Sequence, residues 1–171
     1  MKAYVYETFE QLGRIPANIV IPVGNGTLFI GAVKALEHLH ASGAIERFPN
    51  IIALQSEKCD PLYRAREAGL EDPARVTPAP TMAEGIAIGK PMRGEEILRL
   101  AKKHGVRFVH APEDKILEAR AALAREMRAA PPKINEEGRV NLMRARHPLI
   151  DPEKVVPSTL WMGGEFTTLV I

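Results

Sequence analysis

The sequence is poor in cysteine, in aromatic side chains and in long apolar runs. Its 171 residues include one cysteine, Cys59, and aromatic residues make up 5% of the chain. A single cysteine excludes a disulfide within the chain and fits the reducing cytoplasm, where we expect the protein. No apolar run approaches the roughly 20 residues that span a bilayer, and the first residues do not resemble a signal peptide. We therefore expect no membrane partner.

Composition and charge are those of an ordinary soluble globular protein. Hydrophobic residues make up 46% and charged residues 26% of the chain, and the formal net charge is +2. The length suffices for one buried core with a small appendage. Because the basic residues are spread along the whole chain, no basic stripe is present, and nucleic acid is an unlikely partner.

Three short runs rich in valine and isoleucine predict buried parallel strands at 19–23, 51–55 and 106–110. Helical spacing of apolar residues between and after them predicts helices over 28–39, 61–68, 95–104 and 112–127. Strands that alternate with helices indicate an α/β fold, with a parallel sheet flanked by helices. The proline-containing stretch 70–92 predicts a connection with little regular structure.

The pattern changes after Met127. Segments 139–142, 155–162 and 166–171 read as strands, and Gly163 and Gly164 form a tight-turn pair between the last two. We expect an appended C-terminal β segment that completes or extends the sheet. An apolar strand at a free terminus pairs with its own sheet or with another copy. We expect a homo-oligomer, since strands missing from the sheet leave apolar surface.

An apolar strand runs into a glycine turn and then a helix over residues 19–31. Such a turn leaves unpaired N–H groups at the positive end of a helix, where phosphate or a similar anion binds. Thr27 is predicted to cap the helix and donate its hydroxyl group. Gly31 comes too late for the dinucleotide fingerprint, and no Walker A loop follows. From the pattern alone, a plain strand–helix turn is an equal alternative. The candidate residues are Gly24, Asn25, Gly26, Thr27 and Leu28.

Residues 1–127 resemble the C-terminal part of a fold type II pyridoxal-phosphate enzyme of the tryptophan-synthase β superfamily, closest to threonine-synthase-like members. The matching segments are 3–7, 11–13, 22–28, 52–55, 59–62, 83–88 and 113–117. The resemblance implies that the glycine turn holds the phosphate of pyridoxal phosphate.

Two parts of that family's site are missing from the sequence. The family's Schiff-base lysine lies in a Ser-x-Lys segment before the point where this chain starts. Ser56, Glu57 and Lys58 have the right letters, but Lys58 lacks the context and is interpreted as a surface lysine. The segment that holds the pyridine nitrogen should follow Met127 and is absent. We therefore predict no catalytic residue, and binding of pyridoxal phosphate through its phosphate only.

Residues after about 128 resemble a second family. Segments 131–142, 145–152, 155–157 and 168–171 are similar to the start of the ATPase domain of the MutS family, in the bacterial branch with a small MutS-related nuclease domain. There the last strand feeds the Walker A loop, which this sequence does not contain, so nucleotide binding is not expected. We expect a chimera of segments 1–127 and 128–171, joined within the helix over 113–128.

Three functional hypotheses follow. The first is a non-catalytic chimera that retains the anion site. The second is a pyridoxal-phosphate lyase or synthase acting on amino acids, whose missing residues come from a partner chain. The third is a DNA-repair-associated binding module. No metal site is predicted, because His38 and His40 lie two residues apart on a helix, and Cys59 is predicted to be a free, buried thiol.

Overall fold

The computed structural model describes residues 2–129, 161–162 and 168–170. Its helices are α1 (Ala3–Leu12), α2 (Thr27–Ala41), α3 (Pro61–Glu67), α4 (Gly94–Lys103) and α5 (Ile116–Ala129). Its strands are β1 (Asn18–Pro22), β2 (Asn50–Ser56), β3 (Arg107–Ala111), β4 (Trp161–Met162) and β5 (Thr168–Val170). Two 3-10 helices span Glu84–Ile86 and Glu113–Lys115.

The strands form one sheet in the order β3-β2-β1-β5-β4. Strands β3, β2, β1 and β5 are parallel to their neighbours, and β4 is antiparallel to β5. The predicted α/β fold with three parallel strands is confirmed. Strand β5 adds to the sheet beside β1, with Ile19 opposite Leu169. This pairing gives the predicted C-terminal strand a place in the chain's own sheet, whereas self-association stays a prediction.

The core lies between the sheet and its helices. In β1, Ile19 and Ile21 are buried and Val20 is half-buried, as expected for a strand covered on both faces. Helix α2 contacts α4, and α3 contacts both α4 and β3. The helices predicted over 28–39, 61–68 and 95–104 are present as α2, α3 and α4, and 70–92 has only a 3-10 turn. No helix among the described residues is long and apolar enough to cross a membrane.

The structure differs from the sequence-based predictions at two helices. Helix α1 is not predicted by the sequence pattern, although Val5 and Thr8 are buried one turn apart on it. The helix predicted from Pro112 instead begins with the 3-10 turn, and α5 starts at Ile116. The predicted strand 139–142 and most of the predicted C-terminal hairpin lie outside the described residues. The predicted junction within 113–128 stays a prediction.

Two groups of ion pairs tie α2 to α4. Glu37 accepts hydrogen bonds from Lys103 at 2.7 Å and lies 2.8 Å from His104 Nε2. The bond from Lys103 lowers the pKa of Glu37 below its ordinary value. Glu96 pairs with Lys34 at 2.9 Å, and this contact lowers the pKa of Glu96.

We expect stability to fall as pH drops below about 4.5, the ordinary pKa of both glutamates. Their folded-state pKa values are depressed, so the unfolded chain binds protons first. The stabilisation is complete above that pH and is lost as pH falls through the folded-state values. Urea unfolding midpoints from pH 6 to pH 3 measure this loss. Glu37→Gln and Glu96→Gln should flatten the curve, whereas an unchanged curve in both contradicts the assignment. The control is Glu10→Gln, which removes a carboxylate at an exposed position of α1.

Candidate functional site

The glycine turn joins the carboxyl end of β1 to the first turn of α2. The first hydrogen bond of the helix runs from Ile30 N to Gly26 O, at 2.9 Å. The amides of Thr27, Leu28 and Phe29 therefore have no acceptor within the helix. No acidic side chain occupies the first helical turn. A row of free donors at the positive end of a helix can bind an anion without a cationic side chain.

The cap of α2 differs from the prediction. Gly26 is the N-cap, with φ of 82°, and no side chain makes a capping hydrogen bond. The prediction that Thr27 caps the helix is wrong, because Thr27 is already the first helical residue and is exposed. Its hydroxyl group is thus not used by the helix. Asn25 is also exposed, whereas Gly24 and Gly26 are buried.

Both glycines are packed against other segments. A Cβ atom built at Gly26 would lie 2.1 Å from Ile97 Cδ1, in α4. One at Gly24 would lie 3.1 Å from Ile86 Cα, in the 3-10 helix Glu84–Ile86, and 3.2 Å from Ile88 Cγ1. Distances under 3.0 Å are not found for real Cβ atoms, so Gly26 admits no side chain without a shift. The structure thus brings α4 and the segment 83–88 onto the turn.

Gln55 fastens the turn to the neighbouring strand and helix. Its side chain is fully buried; Nε2 donates to Val23 O at 3.1 Å, and Oε1 accepts from Leu62 N and Tyr63 N at 3.0 Å each. One amide group therefore holds the residue before Gly24 and the first turn of α3. Gln55 is not among the predicted site residues. Its signal in the sequence is a polar residue at the end of an apolar run.

A second polar group lies at the same carboxyl edge of the sheet. Asp60 is buried, and its carboxylate accepts from Arg64 Nε at 2.7 Å and lies 2.9 Å from His110 Nε2. The ring of His110 packs on Tyr63 with centroids 3.7 Å apart. Cys59 is free and buried, as predicted, and burial raises the pKa of its thiol group. Ligands of open α/β sheets bind at this edge.

Comparison with known proteins shows the family of the chain. A model of the family described as pyridoxal-phosphate dependent enzyme matches residues 1–131. The chain belongs to this family. The resemblance to pyridoxal-phosphate enzymes inferred from the sequence is therefore confirmed.

Solved structures show the same fold. A threonine deaminase from T.th. superposes with a TM-score of 0.56 and 24% identity, over 71% of this chain and 41% of that one. A fungal L-serine ammonia-lyase from Rhizomucor miehei gives a TM-score of 0.60 and 20% identity, over 88% of this chain and 47% of that one. Identities this low establish the fold alone.

A short segment is similar to a different protein. Endonuclease MutS2 from Lactobacillus acidophilus is 53% identical over 55 residues, which is 32% of this chain and 7% of that protein. The second resemblance inferred from the sequence is thereby also found. The chain spans less than half of those two enzymes and a small fraction of the endonuclease. That the chain is a chimera of the two families stays a prediction.

Several lysines in the described part of this pyridoxal-phosphate family member lie close to acidic side chains. Lys58, the only one in a Ser-x-Lys sequence there, has a side chain 42% exposed and lies 3.3 Å from Glu57 Oε1. Its interpretation as a surface lysine agrees with this position. Lys34, Lys103 and Lys115 pair with glutamates. Within the described residues, no group of three metal-ligating side chains is present.

Two surface hollows lie beside α4. They have volumes of about 750 and 610 Å³ and meet at Asp72, Glu95 and Glu96, near the first turn of α4. No residue of the glycine turn lines either one. The candidate anion site consists of backbone amides at the start of α2, and neither hollow includes it.

Proposed function

We propose that the turn Gly24–Leu28 binds the phosphate group of pyridoxal phosphate, or a similar phosphate-bearing anion, and that this chain performs no catalysis on its own. The observation that carries the proposal is the set of first-turn amides left free behind a left-handed Gly26. Family membership supports the choice of ligand. The interaction is electrostatic and directional, since several N–H groups and the helix dipole act on one anion.

The residues present fit the phosphate end of pyridoxal phosphate. The two buried glycines let the backbone come close to an anion, and the exposed Thr27 has a free hydroxyl group to donate. When bound in an enzyme, the cofactor supplies an electron sink for carbanions of amino acids. That chemistry requires an activated lysine near the cofactor carbonyl, whereas Lys58, the candidate by sequence, has an exposed side chain beside Glu57.

A second candidate is a pyridoxal-phosphate enzyme completed by another polypeptide. The chain covers 41% of the threonine deaminase and 47% of the ammonia-lyase, so those proteins contain much that has no counterpart here. A partner chain with the missing part would place its own lysine over the same turn. In that case the glycine turn keeps its role, and only the source of the lysine changes.

Replacing Thr27 by aspartate should weaken phosphate binding by roughly 10- to 100-fold, because a fixed carboxylate then competes for the same amides. The helix itself should become slightly more stable, since an acid in the first turn favours α2. Titration calorimetry with inorganic phosphate measures the affinity, and thermal unfolding measures the stability. The matched control is Thr27→Asn, which has the same size without the charge. Equal affinity in the two variants contradicts the proposal.

Adding pyridoxal phosphate and then borohydride tests catalysis by this chain. We expect no stoichiometric adduct on a single lysine, because Lys58, which alone among the described lysines has the Ser-x-Lys sequence, is an exposed residue beside Glu57. An adduct on one lysine of the purified chain overturns the non-catalytic proposal. An adduct on a second polypeptide bound to this chain supports the second candidate.

A further inference from the structure

A cluster of hydrogen bonds joins the connection 81–88 to the 3-10 helix Glu113–Lys115, which follows β3. Thr81 Oγ1 lies 2.6 Å from Glu113 Oε2, and Met82 N donates to Glu113 Oε1 at 2.5 Å. Ala83 N donates to Thr81 Oγ1 at 3.0 Å, and Ser56 Oγ lies 3.1 Å from the same hydroxyl group. Residues from the end of β2, the connection and the 3-10 helix after β3 thus meet at Thr81.

The direction of these hydrogen bonds follows from the charge on Glu113. The hydrogen bonds from Thr81 and Met82 lower the pKa of Glu113, so it is an ionised carboxylate at neutral pH and can only accept. The Thr81 hydroxyl group therefore donates its one hydrogen bond to Glu113. Ser56 must then donate to Thr81, while its oxygen accepts from Lys58 N at 3.1 Å. Each donor in this cluster of hydrogen bonds therefore has one acceptor, and together these bonds fix the position of Thr81.

Residues 81–88 are joined to the rest of the protein by the Thr81 cluster and by packing of their half-buried apolar side chains. Their recorded backbone hydrogen bonds are local: Ile86 N to Ala83 O, Ala87 N to Glu84 O and Ile88 N to Ile86 O. Beyond the Thr81 cluster, Gly85, Ile86 and Ile88 lie against Gly24. Two residues before Thr81, Ala79 N also donates to Lys58 O at 3.2 Å. Loss of the hydrogen bonds of the Thr81 hydroxyl group therefore makes the segment that packs on the turn more mobile.

We propose that Thr81 and Glu113 form a positioning clamp that holds residues 81–88 against Gly24 and so sets the affinity of the glycine turn for phosphate. Neither residue touches the anion. They act through Ile86 and Ile88, which fix the backbone around the free amides. The effect on affinity rests on the proposed function of the turn.

The test uses the full chain and two substitutions at one position. Thr81→Val keeps the shape and removes the hydroxyl group, whereas Thr81→Ser keeps the hydroxyl group. We expect Thr81→Val to weaken inorganic phosphate binding by about tenfold and to speed amide hydrogen exchange over 82–88. Thr81→Ser should stay within about twofold of the unchanged chain in both measurements, because the donor is retained.

A second pair of variants examines the carboxylate. Glu113→Gln should speed exchange less than Thr81→Val, because the amide oxygen can still accept from Met82 N while its NH₂ group donates to Thr81. The Thr81 hydroxyl group then donates to Ser56 Oγ, so the bond between these two residues reverses its direction. Asp114→Asn removes the charge of the adjacent, exposed residue. This variant should change neither the phosphate affinity nor the hydrogen exchange. An equal effect of Asp114→Asn would assign the result to net charge and overturn the clamp.

Two results separate the clamp from the proposed function. If the unchanged chain binds no phosphate, the proposed function fails, and the effect on affinity fails with it; hydrogen exchange then decides whether the clamp exists. Unchanged exchange over 82–88 in Thr81→Val overturns the clamp outright. Faster exchange with unchanged phosphate affinity overturns the claim that the clamp sets the site.

Discussion

Replacing Gly26 by alanine is expected to destabilise the protein by about 3 kcal/mol. Two effects add at this position. Gly26 has φ of 82°, a left-handed conformation that costs a residue with a Cβ roughly 1–2 kcal/mol. The added Cβ would also lie 2.1 Å from Ile97 Cδ1 and 2.7 Å from Ile97 Cγ1, so the Ile97 side chain or the helix that carries it has to move. Overpacking of this kind costs typically about 1–3 kcal/mol. Urea unfolding followed by circular dichroism measures the loss.

Gly43 provides the matched control for that experiment. It has φ of 74°, just beyond α2, and a Cβ built there meets nothing within 4 Å. Gly43→Ala should therefore show the backbone effect alone, about 1–2 kcal/mol. The difference between the two variants isolates the contact with Ile97. Equal losses for both would show that α4 does not press on the turn, and the site geometry would need revision.

The elements that the sequence predicts well are those with a strong local signal. Strands β1, β2 and β3 are continuous apolar runs, and α2 ends near Gly43 as its stop signal predicts. Parallel pairing follows from the alternation of strands with helices. The glycine turn is found at the predicted position because a strand, two glycines and a helix lie together within a dozen residues of sequence.

The parts that escape prediction depend on contacts between distant residues. Gln55 bonds to Val23, 32 positions away, and Glu113 bonds to Thr81, also 32 positions away. His110 meets Asp60 across 50 positions. Each of these side chains looks like an ordinary polar residue when its partner is unknown. These residues come close together because the carboxyl ends of the three parallel strands lie at the same edge of the sheet.

The N-cap of α2 is predicted at the wrong residue for a different reason. Threonine is a good capping residue, so the pattern favours Thr27 over its neighbour. Contact with Ile97 and the tight path into α2 require a left-handed residue one position earlier, and glycine alone meets both demands. Tertiary packing thus decides which residue begins the helix, and it leaves Thr27 exposed beside the free amides.

Replacing Gln55 by methionine is expected to cost roughly 4 kcal/mol, because it leaves three backbone groups without partners at once. Val23 O, Leu62 N and Tyr63 N all bond to this one side chain. Methionine matches the size of glutamine, so lost packing contributes little. The unfolding free energy in urea measures the cost. A loss below about 1 kcal/mol would show that water replaces the side chain at these groups.

Replacing Gln55 by glutamate separates the two ends of the side chain. The variant keeps an acceptor for Leu62 N and Tyr63 N, but at neutral pH a second carboxylate oxygen faces Val23 O. Burial raises the pKa of such a carboxyl group, and its protonated form can donate to Val23 O as the amide did. Because the folded-state pKa is raised, the variant should regain stability relative to the unchanged chain as pH falls from about 7 to about 5. This range lies above the acid loss expected from Glu37 and Glu96. Phosphate affinity should recover along the same curve, since Val23 directly precedes Gly24, and a pH-independent deficit would show that the donor end of Gln55 does not hold the turn.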